Sequence, residues 1–293
     1  MVGDKKITLF SVVNGFLLCL VAFLCLYPML HVVFSSFSDP TLLMQHRGLM
    51  WRPLGFTLDG YFLAFRNPNI LSGYLNTIFY VVVGTICSLI VTAAGAFVVS
   101  RKDAMLAKPI MMGVIFTMYF SCGLIPLYIL VLNVGLFNTR MVIILLSLVS
   151  TWNLIVMRTS FLNIPASMEE SAKIDGASPL RVFVSIYLPL SKAVLSTIAL
   201  FYGVAQWNSW FNHMVFLRDR SMFPLQLIIR EILIINDMSS MTGMEAVGMH
   251  ATTMYQTLVR YAIIVIATLP ILFIYPYIQK YFIKGVMIGA VKG

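Results

Sequence analysis

Residues 169–189 read EESAKIDGASPLRVFVSIYLP, a charged stretch inside a chain whose other long segments are apolar. Ser167 followed by Glu170 fits a capping box, in which the hydroxyl caps a backbone N–H and the carboxylate reaches back. The pattern predicts a short helix from about Met168, closed at Asp175-Gly176, where glycine takes the left-handed C-cap conformation. Ser178-Pro179 predicts a second helix, with Ser as N-cap and Pro in the first turn. Pro165 stops the segment before the pair, and Pro189 is expected to break the second helix. The 161–190 loop therefore reads as a helix–turn–helix at a membrane surface. An ordinary amphipathic interfacial loop has the same capping signals.

The bilayer is the expected solvent for the rest of the chain. The 293 residues are 60% hydrophobic and 11% charged, with a mean hydropathy of +0.91, whereas soluble domains carry about 25% charged residues. Apolar stretches lie near 8–34, 74–99, 109–132, 141–160, 191–215 and 256–279, each near or above the roughly 20 residues a spanning helix needs. The reading is an all-α polytopic membrane protein with six transmembrane helices, one permease domain over 1–293. The first stretch is read as an uncleaved span kinked at Pro28. With the N-terminus inside, Lys5, Lys6, Lys102, Lys108, Lys173, Lys192, Lys280, Lys284 and Lys292 all fall on the cytoplasmic side, as the positive-inside rule requires. The formal charge of +9 is thereby explained by sidedness rather than by nucleic acid.

Catalytic chemistry is not visible. There is no phosphate-binding G-x-x-x-x-G-K-[ST] loop and no hydrolase motif. Cys19, Cys25, Cys87 and Cys122 have no metal-ligand spacing, and they read as small buried residues. The expectation is a chain with no catalytic residue, no metal and no cofactor of its own. An intramembrane enzyme is disfavoured on the same grounds. A secondary transporter or channel would be favoured by an intramembrane carboxylate relay, and no acidic residue falls deep in a predicted span.

The spacing of Glu170, Ala172, Gly176, Ile186, Leu188 and Pro189 resembles the EAA loop of the membrane subunits of binding-protein-dependent ABC importers. The departure is Ser171, where alanine is usual. Asn76-Thr77, Gly123-Leu124-Ile125-Pro126, Asn138-Thr139, Trp152-Asn153, Ile174-Asp175-Gly176-Ala177 and the tail YFIKGVMIGAVKG resemble the carbohydrate branch. Within it the likeness is to complex-sugar and oligosaccharide permeases such as the alginate importer's second membrane subunit. The resemblance implies a type I ABC importer permease fold in a bacterial cytoplasmic (inner) membrane. It also implies a second homologous permease, two ATPase subunits that use ATP and Mg, and an extracytoplasmic substrate-binding protein. Glu169, Glu170, Ser171, Ala172, Asp175, Gly176, Ile186, Leu188 and Pro189 are then the ATPase-coupling residues. The cargo is a sugar, expected to be an oligosaccharide and compatible with an acidic, alginate-like one.

Amides and aromatic rings suit sugar hydroxyls and faces. Gln206, Trp207 and Asn208 are therefore candidate substrate-path residues, with Tyr119, Ser121 and Asn153 behind them. Interfacial belts and interhelical glue use the same residue types. Asn236, Ser239, Thr242, Gly243 and Met244, in the long stretch before the last span, are the candidate contact with the binding protein by the same resemblance. Arg158, near the inner end of the fourth span, is expected to snorkel or to pair with Glu169 or Glu170.

Overall fold

A computed structural model describes residues 9–101, 103–241 and 257–273. These are helical, and among them the only extended pairing is an isolated bridge between Ser38 and Phe56. The helices are α1 (Leu9–Ser36), α2 (Pro40–Gln45), α3 (Asp59–Arg66), α4 (Pro68–Ser100), α5 (Ala107–Tyr119), α6 (Leu124–Asn133), α7 (Arg140–Leu146), α8 (Thr151–Leu162), α9 (Ala166–Ile174), α10 (Pro179–Val182), α11 (Leu188–Leu190), α12 (Lys192–Trp207), α13 (Phe211–Phe216) and α14 (Leu225–Met241). The apolar helix α15 covers Thr257–Phe273. Contacts divide the chain into two compact units, Met1–Pro68 with Ile229–Pro270, and Asn69–Ile228 with Ile271–Gly293.

Three of the six expected spans are bent helix pairs. Among the described residues, α1 and α4 are long and apolar enough to cross a membrane alone, and three bent pairs raise the number to five if each counts as one span. The third expected span, 109–132, is α5 and α6, bent by 119°. Gly123 sits at the break with φ +83, and Pro126 in the next turn can donate no backbone bond. The fourth, 141–160, is α7 and α8, bent by 53° across Ser147–Ser150. The fifth starts from an 84° bend at Ser191 between Pro179–Leu190 and α12, and α12 stops at Trp207. In the sixth, α15 is described to Phe273; the rest lies outside the described residues.

In the first unit the 37–58 segment folds back on α1. The Tyr27 hydroxyl accepts the Met50 N–H at 2.7 Å, and Trp51 stacks on Phe23 with centroids 5.9 Å apart. Asp39 caps α2 through the Thr41 and Leu42 N–H groups. Beside it lies an open cleft of about 450 Å³ lined by Leu42, Gln45, His46, Arg52, Pro53, Leu54 and Gly55. The apolar window of α1 contains no buried residue, so its greasy surface is left for lipid or for other chains. Cys19, Cys25 and Cys122 are exposed and Cys87 is half-buried, all with free thiols, so the expected burial does not hold. They lie on helix surfaces and at a helix break, where a membrane protein tolerates apolar side chains.

The second unit is built on α4. Its buried positions include Gly84, Ser88, Thr92 and Ala96, one small residue every fourth position, which lets neighbouring helices approach closely. Ala93, Ala96 and Phe97 join Met157 and Phe161 of α8 and Ile198 and Tyr202 of α12 in one core cluster.

Candidate functional site

The 161–190 loop forms the two helices that its capping residues predict, with corrections. The first, α9, begins at Ala166, not Met168. Its N-cap is Pro165 and no side chain caps it, so the Ser167–Glu170 box does not form: Ser167 is already inside the helix. The C-terminus matches expectation. Gly176 has φ +76, and the Ala177 N–H reaches the Ala172 carbonyl at 2.9 Å while the Gly176 N–H reaches that of Lys173 at 3.0 Å. These two bonds are the Schellman closure. Asp175 is the C-cap. Ser178 caps the second helix through the Arg181 N–H at 3.4 Å, with Pro179 in the first turn.

Pro189 does not break that helix. A π turn at Phe183–Tyr187 runs into α11, and the chain stays helical through Leu190. The π register sends the Leu188 N–H back five residues to Phe183, and the widened turn makes room for the proline ring. The break falls instead at Ser191. Ile186 and Leu188 pack on the core cluster, as do Ala172 and Ala177, whereas Pro189 is exposed.

The two faces of α9 differ. Glu170, Ser171 and Ile174 are exposed, whereas Glu169 and Ala172 turn inward. One Glu169 oxygen contacts Arg101 at 3.1 Å and Lys173, one turn on, at 2.9 Å; the other accepts the Tyr187 hydroxyl at 2.7 Å. Arg101 also grips Asp103 through two bonds, of 3.1 and 2.9 Å, and lies 5.3 Å from the centre of the Phe97 ring. Tyr187 is wedged edge-on against Phe97 and Phe161 at 4.9 and 5.3 Å. The Arg101 hydrogen bonds hold the Asp103 carboxyl down to about 2. Burial pushes the Glu169 carboxyl up, but bonds from Lys173 and Tyr187 and the Arg101 charge outweigh it, leaving it below its ordinary value. Arg158 takes no part. Its Nε donates to the Val99 carbonyl at 2.9 Å, closing the end of α4, a common use of arginine at a helix C-terminus. Sequence reasoning passed over the Arg101–Glu169 pairing because 68 positions of chain separate the partners.

The candidate path residues differ in burial and in their partners. Tyr119 and Ser121 flank the α5–α6 break and are exposed, and the Ser121 hydroxyl accepts the Gly123 N–H at 3.3 Å. Asn208 is exposed and its amide donates to the Val204 carbonyl at 3.0 Å, which makes it the terminus of α12. Asn153 is buried in the first turn of α8, which Ser150 caps. Gln206 and Trp207 are buried, 4% and 8% exposed. The Gln206 amide donates to the Ser147 hydroxyl. A side chain at Gly84 would meet Gln206 Nε2 at 2.7 Å and push the amide aside. Trp207 Nε1 and Thr85 Oγ1 are buried without a hydrogen-bond partner among the described residues.

The α7–α8 break is held by neighbouring side chains. The Ser88 hydroxyl donates to the Ser147 carbonyl at 3.1 Å. The Tyr202 hydroxyl accepts the Ser150 N–H at 2.9 Å and bonds Thr92 at 2.6 Å. Broken helices survive at membrane depth when neighbours satisfy the freed backbone in this way. The four-residue repeat of small residues in α4 was the available signal for these contacts. At the other end of α4, the Asn76 amide donates to the Ser221 and Phe223 carbonyls at 2.7 and 3.0 Å and accepts from Arg140 at 2.9 Å. Asn138 takes φ 57 and accepts the Arg218 and Asp219 N–H groups at 2.8 and 2.9 Å. Asn236 and Ser239 fall within α14 rather than in a loop, and Thr242, Gly243 and Met244 lie outside the described residues. No metal-binding cluster of His, Cys, Asp or Glu occurs among the described residues.

No protein-family model matches the chain. It is 38% identical over 282 residues to the polygalacturonan/rhamnogalacturonan transport system permease protein YtcP of Bacillus subtilis, covering 96% of this chain and 97% of that one. It is also 38% identical over 293 residues to Protein LplC of Bacillus subtilis, covering 100% and 98%. A crystal structure of a bacterial ABC transporter involved in the import of the acidic polysaccharide alginate contains a chain that matches with a TM-score of 0.86 and 30% identity, over 95% of this chain and 98% of that one. Similarity of this extent, on a helical structure whose 161–190 loop carries the expected helix pair, means that the chain belongs to the permease subunits of sugar ABC importers.

Proposed function

We propose that this subunit, paired with a second homologous permease, carries an acidic oligosaccharide across the inner membrane by alternating access. The exposed face of α9 contacts the ATPase subunits. The observation that carries this reading is the division of α9: Glu170 and Ile174 are free for a partner while Glu169 on the opposite side is ion-paired within the chain. Leu180, 71% exposed on α10, extends the same docking face, and an apolar side chain exposed on a polar loop favours a protein neighbour. ATP and Mg bind in the partners, and this chain performs no bond chemistry. Each state of the permease is favoured only as far as nucleotide, partner or cargo binds it better than the other.

The acidic cargo rests on different support. The related permease YtcP is named for polygalacturonan and rhamnogalacturonan and the structural neighbour for alginate; all three polymers carry uronic acids. Arg52 and His46 line the open cleft of the first unit, with the polarity such a cargo needs. An extracytoplasmic binding protein delivers the sugar, and both termini face the cytoplasm. Gln206 and Trp207 line the path, where the buried, unpartnered Trp207 N–H and Thr85 hydroxyl would bond a sugar hydroxyl if a movement of the helices uncovered them.

The test is uptake by the complete complex in proteoliposomes, with oligogalacturonate, oligoalginate and a neutral oligosaccharide offered separately. Uptake of the uronates alone is expected; equal uptake of the neutral sugar would remove the acidic assignment. Glu170→Lys should leave membrane insertion intact and abolish the link between ATP hydrolysis and uptake. Undiminished uptake with Glu170→Lys would remove the docking assignment.

A further inference from the structure

We infer that Arg101 and Glu169 are positioning residues that make α4 the helix receiving the movement of α9, so that the ion pair, besides the chain connection into α12, carries the stroke to the α7–α8 break. The inference rests on the reading of α9 as the helix that touches the ATPase.

Two routes lead from α9 into the second unit. The covalent one passes a left-handed glycine at 176, a π turn at Phe183–Tyr187 and an 84° bend at Ser191. Each of these is a joint at which a push can be absorbed as a change of angle. The other route is the clamp. No residue of α9 is fully buried, so packing alone holds it weakly. Glu169, however, has both carboxylate oxygens engaged, by Arg101, Lys173 and Tyr187. The side chains of Arg101 and Glu169 are 13% and 15% exposed; at such burial water and salt screen a pair far less than at an open surface. Arg101 is itself fixed by Asp103 and by the Phe97 ring, and it follows directly on the last residue of α4.

From that anchor α4 runs unbroken back to Pro68. Thr92, Ser88 and Gly84 follow on one face at successive four-residue steps. They meet Tyr202, the Ser147 carbonyl and Gln206 respectively. One rigid element thus links the clamp on α9, the hydroxyls that complete the broken helix and the buried end of α12. A swing of α4 about its Asn76 end would move Ser88 and Thr92 together relative to the break. Their bonds would then exchange in concert, which is the discrete two-arrangement behaviour that coupling requires.

The experiment uses the whole complex in proteoliposomes and reads sugar transported per ATP hydrolysed. Arg101→Glu and Glu169→Arg should each lower this ratio about tenfold, within the range of typical coupling between sites, while the ATPase subunits still copurify. The combined swap should recover part of the loss, because it restores opposite charges between 101 and 169 while it sets like charges beside Asp103 and Lys173. Unchanged ratios in the single variants, or a swap no better than either, would overturn the inference. Glu170→Lys separates the two levels: if it too leaves the ratio unchanged, the docking role of α9 fails, and if it alone uncouples, only the role of α4 fails. Should the single variants not assemble, cysteines at 101 and 169 joined by a short reducible linker decide the matter, in a chain with Cys19, Cys25, Cys87 and Cys122 changed to serine. Transport retained in the linked state supports a tether that stays closed through the cycle, and transport lost on linking and regained on reduction overturns it.

Discussion

The two ends of α4 are fastened by different chemistry. At the Asn76 end a neutral amide uses both its donor and acceptor sides, gripping two backbone carbonyls and Arg140. Tyr80 adds a third carbonyl contact, to Met222 at 3.0 Å. Roughly 36 Å further along the helix, at 1.5 Å per residue, the Arg101 end is fastened by carboxylates and cations with side chains on both partners. Amide-to-backbone bonds have fixed length and direction and do not titrate. Ion pairs act over longer range and tolerate reorientation. The contrast suits a helix that is a fixed post at one end and a moving attachment at the other.

The largest effect is expected at the post. Asn76→Ala removes three hydrogen bonds and strands a guanidinium and two carbonyls. At about 1 kcal/mol per bond, and more where a charge is involved, the loss should be about 3 kcal/mol. It should appear as a marked fall in the thermal unfolding temperature of the purified complex, with proteolysis beginning near 218–224. A variant that unfolds like the parent would mean that the post is not fixed by Asn76.

A smaller effect is expected at the moving end from Gly176→Ala. No atom lies within 4 Å of the added carbon, and φ is +76, so the cost is purely conformational, about 1 kcal/mol. The Schellman closure should fray, raising amide exchange in α9 while the 218–224 segment stays protected. Equal protection of α9 in both proteins would show that the clamp alone, without its cap, fixes that helix.

These two sites also mark how much could be read in advance. Gly176, Ser178 and Pro179 act through neighbours in the chain, and local signals located them. The Ser167–Glu170 box failed because Pro165 starts the helix earlier and leaves both residues inside it. Hydrophobicity located α1 and α4, but it averages over a window. It passed across Gly123 and the Ser147–Ser150 gap because apolar residues flank both. What keeps the second gap open is supplied by Ser88 and Tyr202 from other helices, a cause invisible within the stretch itself. Of the path residues, Gln206 owes its place to Gly84, and Asn208 merely ends its own helix. The type of a polar residue did not distinguish these roles; its burial did.

The smallest effect, and the most selective, is that of acid on the clamp. Asp103 titrates at about 2 against an ordinary 3.8 because Arg101 holds its ionised form, and Glu169 is also lowered. A depressed carboxyl contributes stability that is fully present above its unfolded value and is lost as pH falls through its folded value. The Asp103 contribution should therefore be intact at neutral pH, begin to fall near 4 and be gone near 2. The Asp103 side chain is 58% exposed, so solvent screening keeps its part modest; Glu169, more enclosed and also lowered, adds to what is lost. No carboxylate takes part in the Asn76 contacts. Amide exchange in α9, corrected for the intrinsic pH dependence of exchange, should rise over this window while the 218–224 segment holds. Glu169→Gln and Asp103→Asn should each reduce the pH dependence. If both ends of α4 loosened together as pH fell, the distinction between post and moving attachment would be lost, and the ion pairs would be acting as general stabilisers of the unit.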